Sequence, residues 1–433
     1  MSRGRQRADL LINHASTLVT MSPSIPHTGS MMSQVAVIRD GAVAVSEGRI
    51  TAVGKTTEVE ASVEIGPSTT VLDANGKTVT PGLVDPHTHL VFGGWRADEF
   101  GCLLRGVPYK QLLAEGKGIQ QTVRATREAS FMALVEKAMP VLDWMVRWGV
   151  TTVEIKSGYG LELETELKQL NVIRQLMQMT TLDLIPTFLG AHAIPPEYKD
   201  RPDEYISFLV NVMLPLISER HLAEFVDVFC EPGVFTPSQS ETLLKAAKDQ
   251  GFGLKIHADE MESSGGAELA ARLGATSADH LMAASDEGLD AMARAGVIAV
   301  ILPGTSLVLR KPAANARRMI EKGLAVAIAT DFNPGSCPVQ TLPLVMSLAC
   351  LLCGMTPEEA LCAATINAAF ACGRGNVVGS LEVGKQADIV IFNAPDLSYI
   401  PYRVGTNLAE VVIKKGKIVS RSQFKMGVIQ GVG

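Results

Sequence analysis

The sequence predicts an α/β fold: a distorted (β/α)8 barrel of the TIM type, with a small β-sandwich-like domain built from both chain ends. Three observations predict it. Between residues 80 and 381, short apolar runs alternate with amphipathic segments such as FMALVEKAMPVLDWMVRW and ELKQLNVIRQLMQM, the pattern of parallel strands joined by helices. The runs number eight (GLVDPH, TTVEIK, LIPTFLG, FVDVFC, GLKIHA, ATSADH, VIAVIL and AVAIAT), and eight strands close a barrel. Polar residues follow each run: His87 and His89, Lys156 and Tyr159, His192, Glu231, His257 and Glu260, His280, Thr305, and Asp331. The C-terminal strand ends are where barrels of this kind hold their chemistry.

Outside this core the pattern changes. LLINHASTLV, GAVAVSEGRITAVG and TTVLDANGKTVTPG read as short strands, with hairpin-type turns at the Gly-Arg of SEGRIT and the Gly-Lys of NGKTVT. The same pattern returns in GKQADIVIFNAP and EVVIKKGKIVS. The expected division is therefore 1–79 plus 382–433 as one composite β domain and 80–381 as the barrel. SPSIPHTGSMMSQ, rich in Ser, Pro and Met, is expected to be a solvated loop, with His27 unpartnered. LPLVMSLACLLCGM is short of the ~20 residues that span a bilayer and reads as a buried helix.

At 433 residues and 47% hydrophobic, the chain can bury a large core. A net charge of −6, with no Lys/Arg block longer than a pair beyond Arg3, Arg5 and Arg7, argues against nucleic acid as a partner. The DLLINH that follows those arginines is too short and polar for a signal-peptide core, so the expectation is a cytoplasmic protein with no membrane partner. Seven cysteines are then expected as free thiols. Cys350 and Cys353 form C-x-x-C inside the apolar helix, without a second pair or a flanking His, and read as core.

Four residues read as one metal site: His87 and His89 in PGLVDPHTHLVF, His257 in LKIHADEM and Asp331 in AIATDFNPGS. His-x-His at a strand end puts two imidazoles on one face, because strand side chains alternate with period two. Three neutral nitrogens and one carboxylate suit zinc or a similar divalent ion and leave a position open, as in catalytic sites. Barrel closure makes strand eight a neighbour of strand one, which brings Asp331 to the pair.

With those residues in place, the chain resembles the amidohydrolase superfamily, and within it the imidazolonepropionase family. DPHTHLVFGGWRADEF, EIKSGYGLELETELK, FLGAHAIPPEY, DVFCEPGVF, KIHADEM, ILPGTSLVLR, ATDFNPGSCP, ATINAAFA and GSLEVGKQADIVIF carry the resemblance over almost the whole chain. It implies hydrolytic opening of the ring of 4-imidazolone-5-propanoate to N-formimidoyl-L-glutamate, in histidine degradation. It implies metal ligands at His87, His89, His257 and Asp331, and one divalent ion per chain, zinc or iron. Substrate contacts are implied at Arg96, Tyr159, His192 and Glu260, and at Asn333, Gly335 and Ser336; a homodimer is expected.

Chemistry agrees with several of these roles. A propionate needs a cation, and Arg96 on the loop after strand one offers a two-pronged match to a carboxylate. Glycines flanking Tyr159 in SGYGL free the backbone to present the ring. A divalent ion supplies a water nucleophile and polarises the ring carbonyl. The departing nitrogen then needs a proton, for which Glu260 and Asp331 are the carriers, with His280 orienting the attacked carbonyl. Two departures stand out: Lys117 in EGKGI, where glycine is expected, and a long loop at residues 22–34. Two-metal relatives bridge their ions with a lysine or acid on strand four; here that strand ends in Cys230 and Glu231, so one ion is expected and Glu231 reads as a turn residue. The alternatives are an aminohydrolase acting on a nucleobase, which would share these ligands but not a carboxylate anchor, and a non-catalytic scaffold, which would be expected to have lost ligands.

Overall fold

Eight parallel strands pair in chain order in the computed structural model, which describes residues 5–107 and 117–422. They are β1 (Leu83–Asp85), β2 (Val150–Lys156), β3 (Asp183–Ala191), β4 (Phe225–Cys230), β5 (Gly253–Ala258), β6 (Ser277–His280), β7 (Ile298–Ile301) and β8 (Val326–Ile328). The eight runs read from the sequence are these eight strands. Closure comes from the chain just beyond β1 and β8: the Asp331 amide donates to the His87 carbonyl at 3.0 Å and the His89 amide to the Phe332 carbonyl at 2.9 Å. The strands are buried on both faces, as parallel strands covered by helices must be.

Helices pack outside the strands and start at capping residues. Ser130 accepts from the Ala133 amide, Ser285 from Gly288, and Thr236 and Thr356 form capping boxes with Gln239 and Glu359. One core lies between strands and helices. A second cluster, with Val84, Ile185, Phe225, Ile298, Val300 and Ala327, lies beneath the helix Ile366–Ala371 and plugs the end of the barrel opposite the site.

The chain ends share a six-stranded sheet, and the N-terminal end adds a four-stranded sheet of its own. The six-stranded sheet runs 417–421, 409–414, 389–392, 78–81, 17–19, 37–38, and the four-stranded sheet runs 49–55, 41–46, 10–15, 70–73. Between them lies an aliphatic layer containing Ile12, Leu18, Val43, Ile389 and Ile413. LLINHASTLV is not one strand. At His14, φ is +55°, and the chain leaves the four-stranded sheet to join the six-stranded one.

Three local expectations are corrected. The Glu47–Gly48 turn joins a true hairpin, but Asn75–Gly76 does not: the strands on either side of it, 70–73 and 78–81, belong to different sheets, so this turn is a crossover. The segment 22–34 is solvated only in part: Pro23, Ile25, Thr28, Ser30, Ser33 and Gln34 are exposed, but two residues anchor it in the core. His27 and Met32 are fully buried, and Asn367 takes the His27 amide at 2.8 Å while donating to its carbonyl at 2.9 Å. Helix Leu342–Cys353 is buried along most of its length, yet Leu351 and Leu352 near its end are exposed. Among the described residues no helix is long and apolar enough to cross a membrane. Arg3 and the first two residues of EGKGI lie outside the described residues.

Candidate active site

Five of the chain's eight histidines converge at the C-terminal mouth of the barrel: His87 and His89 past β1, His192 past β3, His257 in β5 and His280 at the end of β6. All five, and Asp331 beyond β8, are buried or nearly so. His280 and Asp331 hold positive φ, +76° and +52°, which side chains of this type rarely adopt. The interlock between the β1 and β8 extensions holds Asp331 in that conformation, aimed at the imidazoles.

Of the four ligands named from the sequence, His87, His89 and Asp331 form one group, while His257 forms a second group with His87 and His280 and also approaches His89. His87 Nε2 lies 3.2 Å from His89 Nε2, and His257 Nε2 lies 3.4 Å from His89 Nε2. Asp331 Oδ1 is 3.5 Å from both His87 Nε2 and His89 Nε2. Atoms at about 2.0–2.1 Å from one tetrahedral ion lie about 3.4 Å apart, so His87, His89 and Asp331 fit three corners around a divalent cation, with His257 next to them at His89. Their chemistry fits too. Burial, then the Lys156 charge, holds His87 well below the ordinary imidazole pKa, and burial, then His192, does the same for His89. Unprotonated ring nitrogens facing one another in a dry site have lone pairs without donors, which a cation would satisfy.

Behind the ligands stands a layer that the sequence reading missed. His87 Nδ1 donates to Asp279 Oδ2 at 2.6 Å, and His257 Nδ1 lies 3.0 Å from Asp227 Oδ2. The first bond turns the His87 ring so that Nε2 faces the cluster, the usual carboxylate–histidine arrangement of metal sites; the His257 pair has the distance of a hydrogen bond without its geometry. For His257, burial lowers the pKa but Asp227 outweighs it, and the net shift is upward. Lys156 Nζ joins the two carboxylates, 2.8 Å from Asp227 and 3.6 Å from Asp279, and also meets Glu154 at 2.8 Å. One signal was available: acidic and basic residues inside otherwise apolar strands (Asp227 in FVDVFC, Asp279 in ATSADH, Glu154 and Lys156 in VTTVEIK) are costly to bury unless paired.

Around the cluster lie the other predicted residues. Glu260 Oε2 is 3.7 Å from His280 Nδ1, and its loop hangs on Glu231, whose carboxylate accepts the amides of Glu260, Met261 and Glu262 at 3.0, 3.1 and 2.8 Å. Asp331 Oδ2 accepts from the Thr305 hydroxyl at 2.5 Å. Burial raises the Asp331 carboxyl, partly offset by His280 and Thr305. The His192 ring stacks on His89 at 4.8 Å, with its Nδ1 3.1 Å from the Gly158 carbonyl, so that nitrogen carries the proton and Nε2 is an acceptor. Burial, then His257, brings the His192 pKa to about 3. Tyr159 packs 5.9 Å from His89 and 5.3 Å from His192.

Arg96 reaches the same cavity from the β1 loop. Its side chain is only 11% exposed, Glu99 comes no nearer than 3.4 Å, and its Nε is buried without a hydrogen-bond acceptor. The guanidinium lies flat on Gly335, where a Cβ would fall 1.4 Å from Nη2. Asn333 is occupied with the turn itself: its Oδ1 accepts the amides of Gly335, Ser336 and Cys337, and its Nδ2 donates to the Asp331 carbonyl and Ser336 Oγ. Asn333, Gly335 and Ser336 thus form the wall against which Arg96 rests.

Residues 221–419 match the model of the amidohydrolase family. The chain is 53% identical over 413 residues to the imidazolonepropionase of Alkaliphilus metalliredigens, covering 95% of this chain and 98% of that one. It is 54% identical to that of Geobacillus kaustophilus over 413 residues, covering 95% and 97%. Among solved structures, a zinc-bound adenosine deaminase from Xanthomonas campestris superposes with a TM-score of 0.71 at 22% identity, over 96% of this chain and 93% of that one, a likeness of fold alone. The chain therefore belongs to the imidazolonepropionase family of the amidohydrolases.

Proposed function

We propose that the protein hydrolyses 4-imidazolone-5-propanoate to N-formimidoyl-L-glutamate. The observation that carries this reading is Arg96, a guanidinium buried beside the histidine cluster whose Nε, 3.4 Å from the Glu99 carboxylate, makes no hydrogen bond. Glu99 faces the guanidinium at one nitrogen only, and its other N–H groups form the fork that a second carboxylate, the propionate tail, would fit. A neutral nucleobase offers it acceptors but no charge. The relatives named above, at 53% and 54% identity, support the same substrate.

His87, His89, His257 and Asp331 would hold one divalent cation, zinc or iron; when bound it makes a water nucleophilic near neutral pH and polarises a carbonyl. The chain's own groups do the rest. Arg96 and Tyr159 hold the tail and fix the ring against His192. Water oxygen bonds to the ring carbonyl carbon, and Glu260 and Asp331 take its protons. His280 donates to the oxygen that gains negative charge. The ring carbon–nitrogen bond then breaks, with Glu260 returning a proton to the departing nitrogen, which leaves as part of the formimidoyl group. A single ion is favoured because Glu231, the acid at the end of β4, spends its carboxylate on three backbone amides, and Lys156 is ion-paired beneath the site.

An ultraviolet assay with freshly prepared imidazolonepropanoate, run beside cytosine and guanine, tests the reaction: the imidazolone should disappear and the bases persist. Deamination of a base by protein inert to the imidazolone would overturn the reading. Elemental analysis should give close to one transition metal per chain; two per active chain would overturn the single-ion assignment.

A further inference from the structure

Helix Leu163–Met179 begins just after the SGYGL segment, and two of its side chains, Glu166 and Gln169, are fully buried although neither touches the histidine cluster. They stand one turn apart on one face of the helix. The Glu166 carboxylate accepts the Gly158 amide at 3.1 Å, the Gly160 amide at 2.8 Å and the Leu161 amide at 2.9 Å. Gln169 completes the set: its Oε1 accepts the Tyr159 amide at 3.2 Å, and its Nε2 donates to the Val91 carbonyl at 2.7 Å. Four consecutive amides, 158 to 161, are thus gathered by two side chains.

The turn so held would not hold itself. Gly158 sits at φ +107°, where a Cβ would meet the Leu189 carbonyl at 2.7 Å, and Leu161 sits at φ +55°. Burying a carboxylate is expensive unless donors surround it, so Glu166 and the turn impose their geometry on one another. Two pocket walls depend on the result. On one side the turn presents Tyr159, and its Gly158 carbonyl fixes the His192 ring. On the other side, Val91 leads five residues along the β1 loop to Arg96.

We propose that Glu166 and Gln169 are positioning residues that act as one clamp, setting the distance between the Tyr159–His192 wall and the Arg96 wall and thereby the fit of a carboxylate-bearing substrate. The inference rests on the reading above that Arg96 and Tyr159 receive the tail. It assigns a specificity role to residues that contact neither substrate nor metal.

The test uses two probes that cannot be hydrolysed, imidazole-4-propanoate and 4-methylimidazole, the second lacking the carboxylate. Their Kd values are measured by calorimetry on the metal-loaded protein, with KM and kcat for the imidazolone alongside. Gln169→Met keeps the volume and removes both bonds. We expect the ratio of the 4-methylimidazole Kd to the imidazole-4-propanoate Kd to fall by about 5- to 100-fold, the range for losing two hydrogen bonds, through weaker binding of the propanoate alone. KM should rise in parallel, with metal content unchanged and kcat nearly so. Glu166→Gln turns an amide NH2 towards the Gly158 N–H and should act in the same direction. A lower Tm with an unchanged probe ratio in either folded variant overturns the proposal, because the pair would then serve stability only; failure of both variants to fold does so too. Wild-type protein that prefers the propanoate probe but leaves the imidazolone intact defeats the proposed reaction and leaves the clamp standing.

Discussion

Arg96 and Gly335 together offer a test of where the substrate carboxylate lies. Arg96→Met removes the guanidinium and keeps much of the aliphatic stem. Hydrogen bonds to charged groups contribute about 1.5–3 kcal/mol each, and two to one carboxylate in a largely desolvated pocket should be worth about 2–4 kcal/mol, less than their sum. At about 1.4 kcal/mol per factor of ten, kcat/KM should fall roughly 30- to 1000-fold. The tail is remote from the attacked carbonyl, so most of the loss belongs in KM, with a smaller part in kcat through poorer orientation of the ring. Gly335→Ala should produce the same phenotype without touching any charge. Its methyl group would sit 1.4 Å from Arg96 Nη2 and 1.9 Å from Cζ, so the guanidinium must swing away while the backbone stays. Steady-state kinetics on imidazolonepropanoate and on an imidazolone without the carboxylate would separate the effects: the first substrate should suffer in both variants, the second in neither. If both variants handle imidazolonepropanoate as the natural protein does, Arg96 is a bystander and the anchor lies elsewhere in the cavity.

Three further outcomes follow from the same geometry. Glu260→Gln keeps shape and reach but cannot carry a proton, so kcat should fall by roughly 10²-fold or more with metal content unchanged; near-normal turnover would move the shuttle to Asp331 or His280. Asp279→Asn removes the anion behind His87, and metal affinity measured by competition with a chelator should weaken about 10- to 100-fold; an unchanged affinity would make that carboxylate structural only. Asp183 joins β3 to the terminal sheet through Lys414 and Lys415, each at 2.7 Å; burial alone would raise its pKa, but the Lys414 charge and the hydrogen bonds bring it down to about 2. A depressed carboxyl stabilises the fold above its ordinary pKa, and the gain is lost as pH falls from about 4 through about 2, a loss of about 1–2 kcal/mol with its partial exposure taken into account. Acid unfolding followed by circular dichroism should therefore lose part of its dependence below pH 4 in Asp183→Asn, and an identical acid transition would remove this role.

The barrel was legible in the sequence because local rules produce it: periodicity marks strand and helix, and eight alternating units have few ways to bury both faces of their strands. The histidine–aspartate cluster was legible for a related reason. Imidazole and carboxylate side chains at strand ends are chemically conspicuous, and barrel closure carries Asp331 to His87 and His89 whatever the loops do. Tertiary structure decided what depended on partners remote in sequence. No local pattern says that Asp279 stands behind His87 across 192 residues, that Lys156 joins Asp279 to Asp227, or that Glu166 and Gln169 hold the Tyr159 turn. Segment 22–34 shows the same limit from the other side: its Ser/Pro/Met composition reads as solvated, as about half of it is, yet Asn367, 340 residues away, satisfies the backbone of His27 and lets that residue be buried. Composition and periodicity report what a residue prefers; which buried polar groups find partners is fixed only when the whole chain has folded around them.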